Sequence, residues 1–176
     1  GGVTYCCPFF SPDGNYVYYF QPQPNLPSVG YQVPVLGGDP KKIIEDVDSQ
    51  PTFSPDGKRF AFMRGHPAEG SVDLMVANAD GTGEQKISTY ELVYFFQSGV
   101  PMNAAWSPDG ENIVLGVPAS DTSGLYRRML AVRVKDGKAT EIGSQRWYAL
   151  GQFAWLRDGS GLIFTGSDQP SGSPVQ

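Results

Sequence analysis

Apolar residues in this chain come in short runs, each closed on both sides by glycine, proline, asparagine or aspartate. Four runs, at 16–20, 59–63, 112–116 and 162–165, are apolar on both alternating parities. That pattern predicts strands buried on two faces rather than amphipathic ones. Each run follows the same phrase: Phe10-Ser11-Pro12-Asp13-Gly14, Phe53-Ser54-Pro55-Asp56-Gly57, Trp106-Ser107-Pro108-Asp109-Gly110 and the divergent Trp155-Leu156-Arg157-Asp158-Gly159. In the phrase the aromatic ends a short strand and points between sheets. Proline presets φ, aspartate accepts backbone N–H bonds, and glycine takes the position with φ above zero. Asp13, Asp56, Asp109 and Asp158 are therefore expected to be structural turn residues. A third and a fourth strand follow in three of the copies: 31–35 and 41–45 around Gly37-Gly38, 74–77 and 84–88 around Asp80-Gly81, 129–134 and 139–143 around Asp136-Gly137. The fourth copy stops after its second strand.

Measured at the aspartate, successive copies lie 43, 53 and 49 residues apart. A period of roughly 40–50 residues in a turn-rich chain means one four-stranded antiparallel blade per repeat. The expected fold is all-β, a partial β-propeller of about three and a half blades, with residues 1–176 a fragment of a single propeller. The repeats run approximately 5–45, 48–88, 101–143 and 150–176, the last truncated. Composition agrees. With 22 Gly and 15 Pro among 176 residues, long helices are excluded, and a 40% hydrophobic share excludes intrinsic disorder. The net charge of −5 and the lack of any basic run argue against nucleic acid or an anionic membrane surface as partner. No apolar stretch reaches the ~18 residues that a spanning helix needs, so membrane insertion by this segment is not expected.

Catalytic and metal chemistry find little support. There is no G-x-S-x-G elbow, Walker loop, G-x-G-x-x-G or H-E-x-x-H pattern, so no catalytic residue is assigned. The only histidine, His66, lies in the polar stretch 64–70 and is expected to be a solvent-exposed loop residue, with no nucleophile or orienting carboxylate placed beside it. One histidine and two adjacent cysteines, Cys6 and Cys7, cannot make a structural zinc site, and vicinal cysteines rarely bridge each other. No metal and no cofactor are expected.

The F/W-S-P-D-G phrase, the apolar strand after it and the later N-A-D-G turn resemble the PD40 (WD40-like) repeat of TolB-like β-propellers. The resemblance covers nearly the whole chain. The stretches 31–38 and 47–53 further resemble propeller sensor regions attached to bacterial serine/threonine kinases or winged-helix regulators. It implies a non-enzymatic recognition or sensor module in a bacterial signalling or envelope protein, periplasmic or extracytoplasmic, with a protein, peptide or small envelope ligand as partner. The alternative is the substrate-gating propeller of a prolyl-oligopeptidase-type serine peptidase whose catalytic domain lies outside this segment.

Antiparallel up-and-down order places the S-P-D-G and D-G turns at one end of the blades and the remaining connections at the other. Long loops are expected at that second end, over 21–30, 46–50, 65–72, 89–102, 118–126 and 144–151. Two candidate sites lie there. Aligning the innermost strands brings Cys7, Gln50, Asn103 and Gln152 to one level at the channel mouth, with Asp48 beside them, a polar set suited to hydrogen bonding a peptide or small ligand. The insert over 89–102 carries Tyr94, Phe95 and Phe96, which either form an exposed binding patch or fold over the blade to fill the core.

Overall fold

The computed structural model describes residues 6–23, 26–91 and 103–169. Among them run the strands β1 (Cys6–Phe10), β2 (Tyr16–Gln23), β3 (Leu26–Pro34), β4 (Lys41–Glu45), β5 (Thr52–Phe53), β6 (Arg59–His66) and β7 (Ser71–Asn78). They continue as β8 (Gln85–Glu91), β9 (Ala104–Trp106), β10 (Asn112–Asp121), β11 (Gly124–Arg133), β12 (Ala139–Glu141), β13 (Ala149–Trp155) and β14 (Leu162–Ser167). The strands hydrogen-bond in sequence order as β1-β2-β3-β4, β5-β6-β7-β8 and β9-β10-β11-β12, followed by the pair β13-β14. All ladders are antiparallel. The chain is thus all-β, a partial propeller of three four-stranded blades and a two-stranded fourth.

Burial on both parities of β6 and β10 has a direct structural cause: the second and third blades are each sandwiched between two others. Phe60 and Phe62 of β6 pack toward the first blade with Phe20, Ile44 and Val47. The alternate residues Ala61 and Met63 pack toward the third blade with Trp106, Ile113 and Leu115. Val114, of the opposite parity in β10, joins Leu150 and Phe153 of the fourth. The core is therefore divided among the joints between blades. At the two ends of the array the same positions are bare: Phe10 is 64% exposed and Ile163 61%. Phe10 is the exception to the expectation that the aromatic of the phrase lies between sheets, because its side of blade one has no neighbouring sheet among the described residues.

Each phrase closes a repeated turn. Ser54 Oγ donates to Asp56 Oδ1 (2.6 Å) and accepts the Arg59 N–H (3.0 Å), while Asp56 Oδ1 accepts the Lys58 N–H (3.1 Å). Ser11 and Asp13, and Ser107 and Asp109, repeat the arrangement. Leu156 supplies no hydroxyl in the fourth copy, and Asp158 bonds Ser160 instead (2.7 Å). These hydroxyls, then the backbone N–H groups, hold all four carboxyls below the ordinary carboxylate value. The D-G turns have a different task. A Cβ on Gly81 would stand 1.7 Å from the Ile43 carbonyl oxygen, and one on Gly137 would stand 2.2 Å from that of Ile87. The third-to-fourth-strand turns of the second and third blades are thus pressed against the outer strand of the preceding blade.

The second end differs from expectation. Long loops were anticipated between second and third strands, but the ladders run almost to the tips, pairing His66 with Ser71 and Asp121 with Gly124. These hairpins are strands for most of their length because their registers continue without interruption to tight turns. In the first blade β2 and β3 also pair out to Gln23 and Leu26, there with a register shift between Gln21 and Gln23. Among the described residues, irregular chain at this end is left to the crossovers from the first blade to the second and from the third to the fourth.

Candidate functional site

The crossovers lead into the innermost strands, where one irregularity recurs. In the first blade the ladder passes from Phe9↔Tyr18 to Cys6↔Phe20, skipping a residue on the inner strand. The fourth blade repeats this from Phe153↔Phe164 to Leu150↔Gly166. In the second, the Asp48 N–H bonds the Met63 carbonyl (2.9 Å) and Ser49 Oγ accepts the Met63 N–H (2.9 Å), so side-chain bonding replaces the ladder. Bulges of this kind re-aim side chains and terminate pairing. Here they fall at Cys7, Gln50 and Gln152, the positions that the sequence aligns at the channel mouth. Asn103, at the same level, directly precedes β9. It is 7% exposed, and its amide makes no side-chain hydrogen bond with a described residue. Tyr94, Phe95 and Phe96 lie outside the described residues.

Asp48 is solvent-exposed, and its Oδ2 accepts the Gly65 N–H (2.8 Å). Partial burial pushes its carboxyl above the ordinary value; the Gly65 bond opposes this, Asp46 adds to it, and Arg64 and His66 oppose it. The crossover that carries Asp48 is pinned by Arg64, which donates to the carbonyls of Glu45 (2.9 Å) and Asp46 (3.0 Å) and pairs with Glu84 (2.7 Å). Asp46 takes φ +59° in this crossover, a left-handed conformation that aspartate tolerates better than most residues.

His66 corrects the sequence reading. It ends strand β6 rather than lying in a loop, and its Nε2 stands 3.0 Å from Asp73 Oδ2. The tight 67–70 turn brings β7 back directly, which sets Asp73 diagonally across from His66. Asp73 is only 6% exposed. It also accepts from Thr89 Oγ1 (2.5 Å) and lies 3.5 Å from Lys86 Nζ. Burial pushes its carboxyl up, but the Thr89 and His66 bonds and the Lys86 charge outweigh it and hold the carboxyl below the ordinary 3.8. The stabilisation is then complete above pH 3.8 and lost as pH falls through the lower folded value. Melting temperature should therefore fall on acidification below about pH 4, and Asp73→Asn should flatten that limb. An unchanged acid limb in thermal melts of the variant would remove Asp73 from the account. Among the described residues no three His, Cys, Asp or Glu side chains are grouped to hold a metal ion, and no helix is long and apolar enough to cross a membrane.

No protein-family model and no curated protein sequence matches the chain. Solved structures do. TolB from Acinetobacter baumannii superposes with a TM-score of 0.71 at 18% identity, covering 97% of this chain and 39% of that one. The fold is a TolB-like β-propeller. The putative TolB from Agrobacterium tumefaciens gives 0.68 at 21% identity, covering 94% of this chain and 55% of that one. The Pyrococcus horikoshii acylaminoacyl peptidase gives 0.58 at 17% identity, over 81% of this chain and 26% of that one. This TolB-like chain thus spans between about a quarter and about half the length of the proteins it resembles.

Proposed function

We propose that this chain is part of a larger, non-enzymatic propeller that binds a protein, peptide or small ligand at its channel mouth. Asp48, Gln50, Asn103 and Gln152 would make the polar contacts, and Cys7 would complete the ring. The observation that carries the reading is the interrupted inner ladder, which recurs in three blades at the level of these residues. Bulged inner strands and amide side chains at one rim suit an extended peptide, whose own N–H and C=O groups need partners. The nearly buried Asn103, whose amide makes no side-chain hydrogen bond with a described residue, supports it, since a polar group in that position gains most from a ligand. Tyr94, Phe95 and Phe96 would extend the contact surface. The bare faces of the first and last blades support further blades beyond these. A place outside the cytoplasm, in a sensor or envelope protein, follows the TolB resemblance.

The test is affinity measured by titration calorimetry on peptides selected against the wild-type chain. Asn103→Ala combined with Gln152→Ala should weaken binding by roughly tenfold or more, about one hydrogen bond's worth each, with little change in melting temperature. Peptides that keep their affinity would put the site elsewhere. The likeness to the acylaminoacyl peptidase favours the second reading, a gating propeller. A hydrolase domain with a G-x-S-x-G elbow on the same polypeptide would decide for it.

A further inference from the structure

The opposite end of the propeller, where the S-P-D-G turns lie, holds a cavity whose chemistry is set by an internal comparison. Between the second and third blades the joint at this end is filled. Arg59 of β6 reaches across so that its guanidinium carbon stands 5.1 Å from the centre of the Trp106 ring. The turns also meet there, since a Cβ on Gly110 would lie 3.9 Å from Pro55. Between the first and second blades the same contact is present, with Pro12 3.5 Å from a Cβ built on Gly57.

Between the third and fourth blades both fillers are missing. The counterpart of Trp106 is Trp155, and the counterpart of Arg59 is Asn112. The equivalence is geometric: Asn112 N–H bonds Ser107 Oγ (2.9 Å) as Arg59 N–H bonds Ser54 Oγ (3.0 Å). The asparagine is too short to cover an indole on the next blade. Pro108 is present, but the turns stand apart: a Cβ on Gly159 would have nothing within 4 Å, and Arg157 takes the proline position of the fourth turn. What remains is a cavity of about 500 Å³ lined by Pro108, Asp109, Asn112, Trp155, Arg157 and Asp158 among others. The Trp155 Nε1–H is held by the Ala105 carbonyl (3.3 Å), which fixes the ring, and no cation stands over it among the described residues. Asp109 and Asp158 are kept ionised by their own turn bonds, so against the single charge of Arg157 the mouth is net negative.

We propose that this cavity is a binding site for a guanidinium, namely an arginine side chain of a protein or peptide partner, stacked on Trp155 as Arg59 is on Trp106 inside the molecule. Arginine suits the site better than lysine because its planar, weakly hydrated head group stacks on an indole while its N–H fork addresses carboxylates. The site lies at the far end of the inner strands from the channel mouth and does not depend on the reading given to that mouth.

The test follows the Trp155 indole N–H signal by NMR, assigned through Trp155→Phe, while capped Gly-Arg-Gly, Gly-Lys-Gly and Gly-citrulline-Gly peptides are added. The arginine peptide should shift the signal saturably, with the neutral citrulline peptide roughly tenfold weaker and the effect reduced by salt. Asn112→Arg should fill the cavity from within and abolish the shift without lowering the melting temperature, since the corresponding turn of the second blade already carries an arginine at position 59. Should that variant fold poorly, the citrulline and salt arms decide alone. Equal binding of the citrulline peptide, a salt-independent shift, or a shift that survives in a folded Asn112→Arg overturns the proposal. A lysine peptide that binds as well as the arginine peptide overturns the guanidinium assignment.

Discussion

Replacing Trp106 with alanine is expected to remove about 3–5 kcal/mol of folding stability, read as a lower urea midpoint at unchanged slope. The indole is 5% exposed and belongs to the cluster that joins the second and third blades. Its Nε1–H donates to the Gly110 carbonyl (3.1 Å), its own backbone N–H is taken by Thr52 Oγ1 (3.1 Å), and Arg59 covers its face. Truncation thus opens a cavity at a joint, orphans a carbonyl in the turn and strips the arginine of its platform. A small domain has only about 5–15 kcal/mol in total, so this one side chain governs whether the middle joint holds. A loss below about 1 kcal/mol would mean that the blades adhere through their backbone turns rather than through this ring.

The second large effect concerns a residue without a side chain. Gly81→Ala should cost about 2–4 kcal/mol, combining the left-handed conformation at φ +86° with a methyl group forced against the Ile43 carbonyl. Because the obstacle is backbone, relief requires the second blade's outer turn to lift from the first blade. Gly37→Ala is the matched control. It stands at φ +95° in the corresponding turn of the first blade, with nothing within 4 Å of the added carbon. Only the conformational part, about 1–2 kcal/mol, should remain there. Thermal melts of the two variants separate the contributions, and equal losses would show that contact between turn and neighbouring strand is unimportant.

Repeat, strand order and turn chemistry were legible in the sequence because each is local. Ser54, Asp56 and Gly57 do their work within one turn, so a five-residue phrase announces them. The fourth strand at 41–45 was likewise readable from its flanking turn and its charges. The second ends of the hairpins were not. Proline and glycine around His66 suggest a loop, yet eight consecutive residue pairs between β6 and β7 hold that stretch extended. Register across strands, not local propensity, decides where such a ladder ends. The same limit hid the Asp73 cluster, whose members come from three strands and meet only once β6, β7 and β8 are in register. The alignment of Gln50, Asn103 and Gln152 needs only the repeat, whereas the bulges at that level are a mismatch of two strand lengths that no single segment encodes. The Trp155 cavity escaped for a related reason: it exists by contrast with the Arg59–Trp106 joint, and both arginine and asparagine look equally ordinary at the start of a strand.

Division of the core among the joints makes the molecule a linear chain of cooperative units rather than one droplet. Each blade borrows its apolar surroundings from the two beside it, so its stability is set by nearest neighbours. The second and third blades, enclosed on both sides, carry the residues with no exposure at all, among them Phe62, Leu74, Ile113 and Leu115. Among the described residues the outermost sheets have one neighbour each. Energetically the array behaves as a stiff centre with ends that fray inward, and whatever adds a neighbour at either end strengthens the adjacent sheet first.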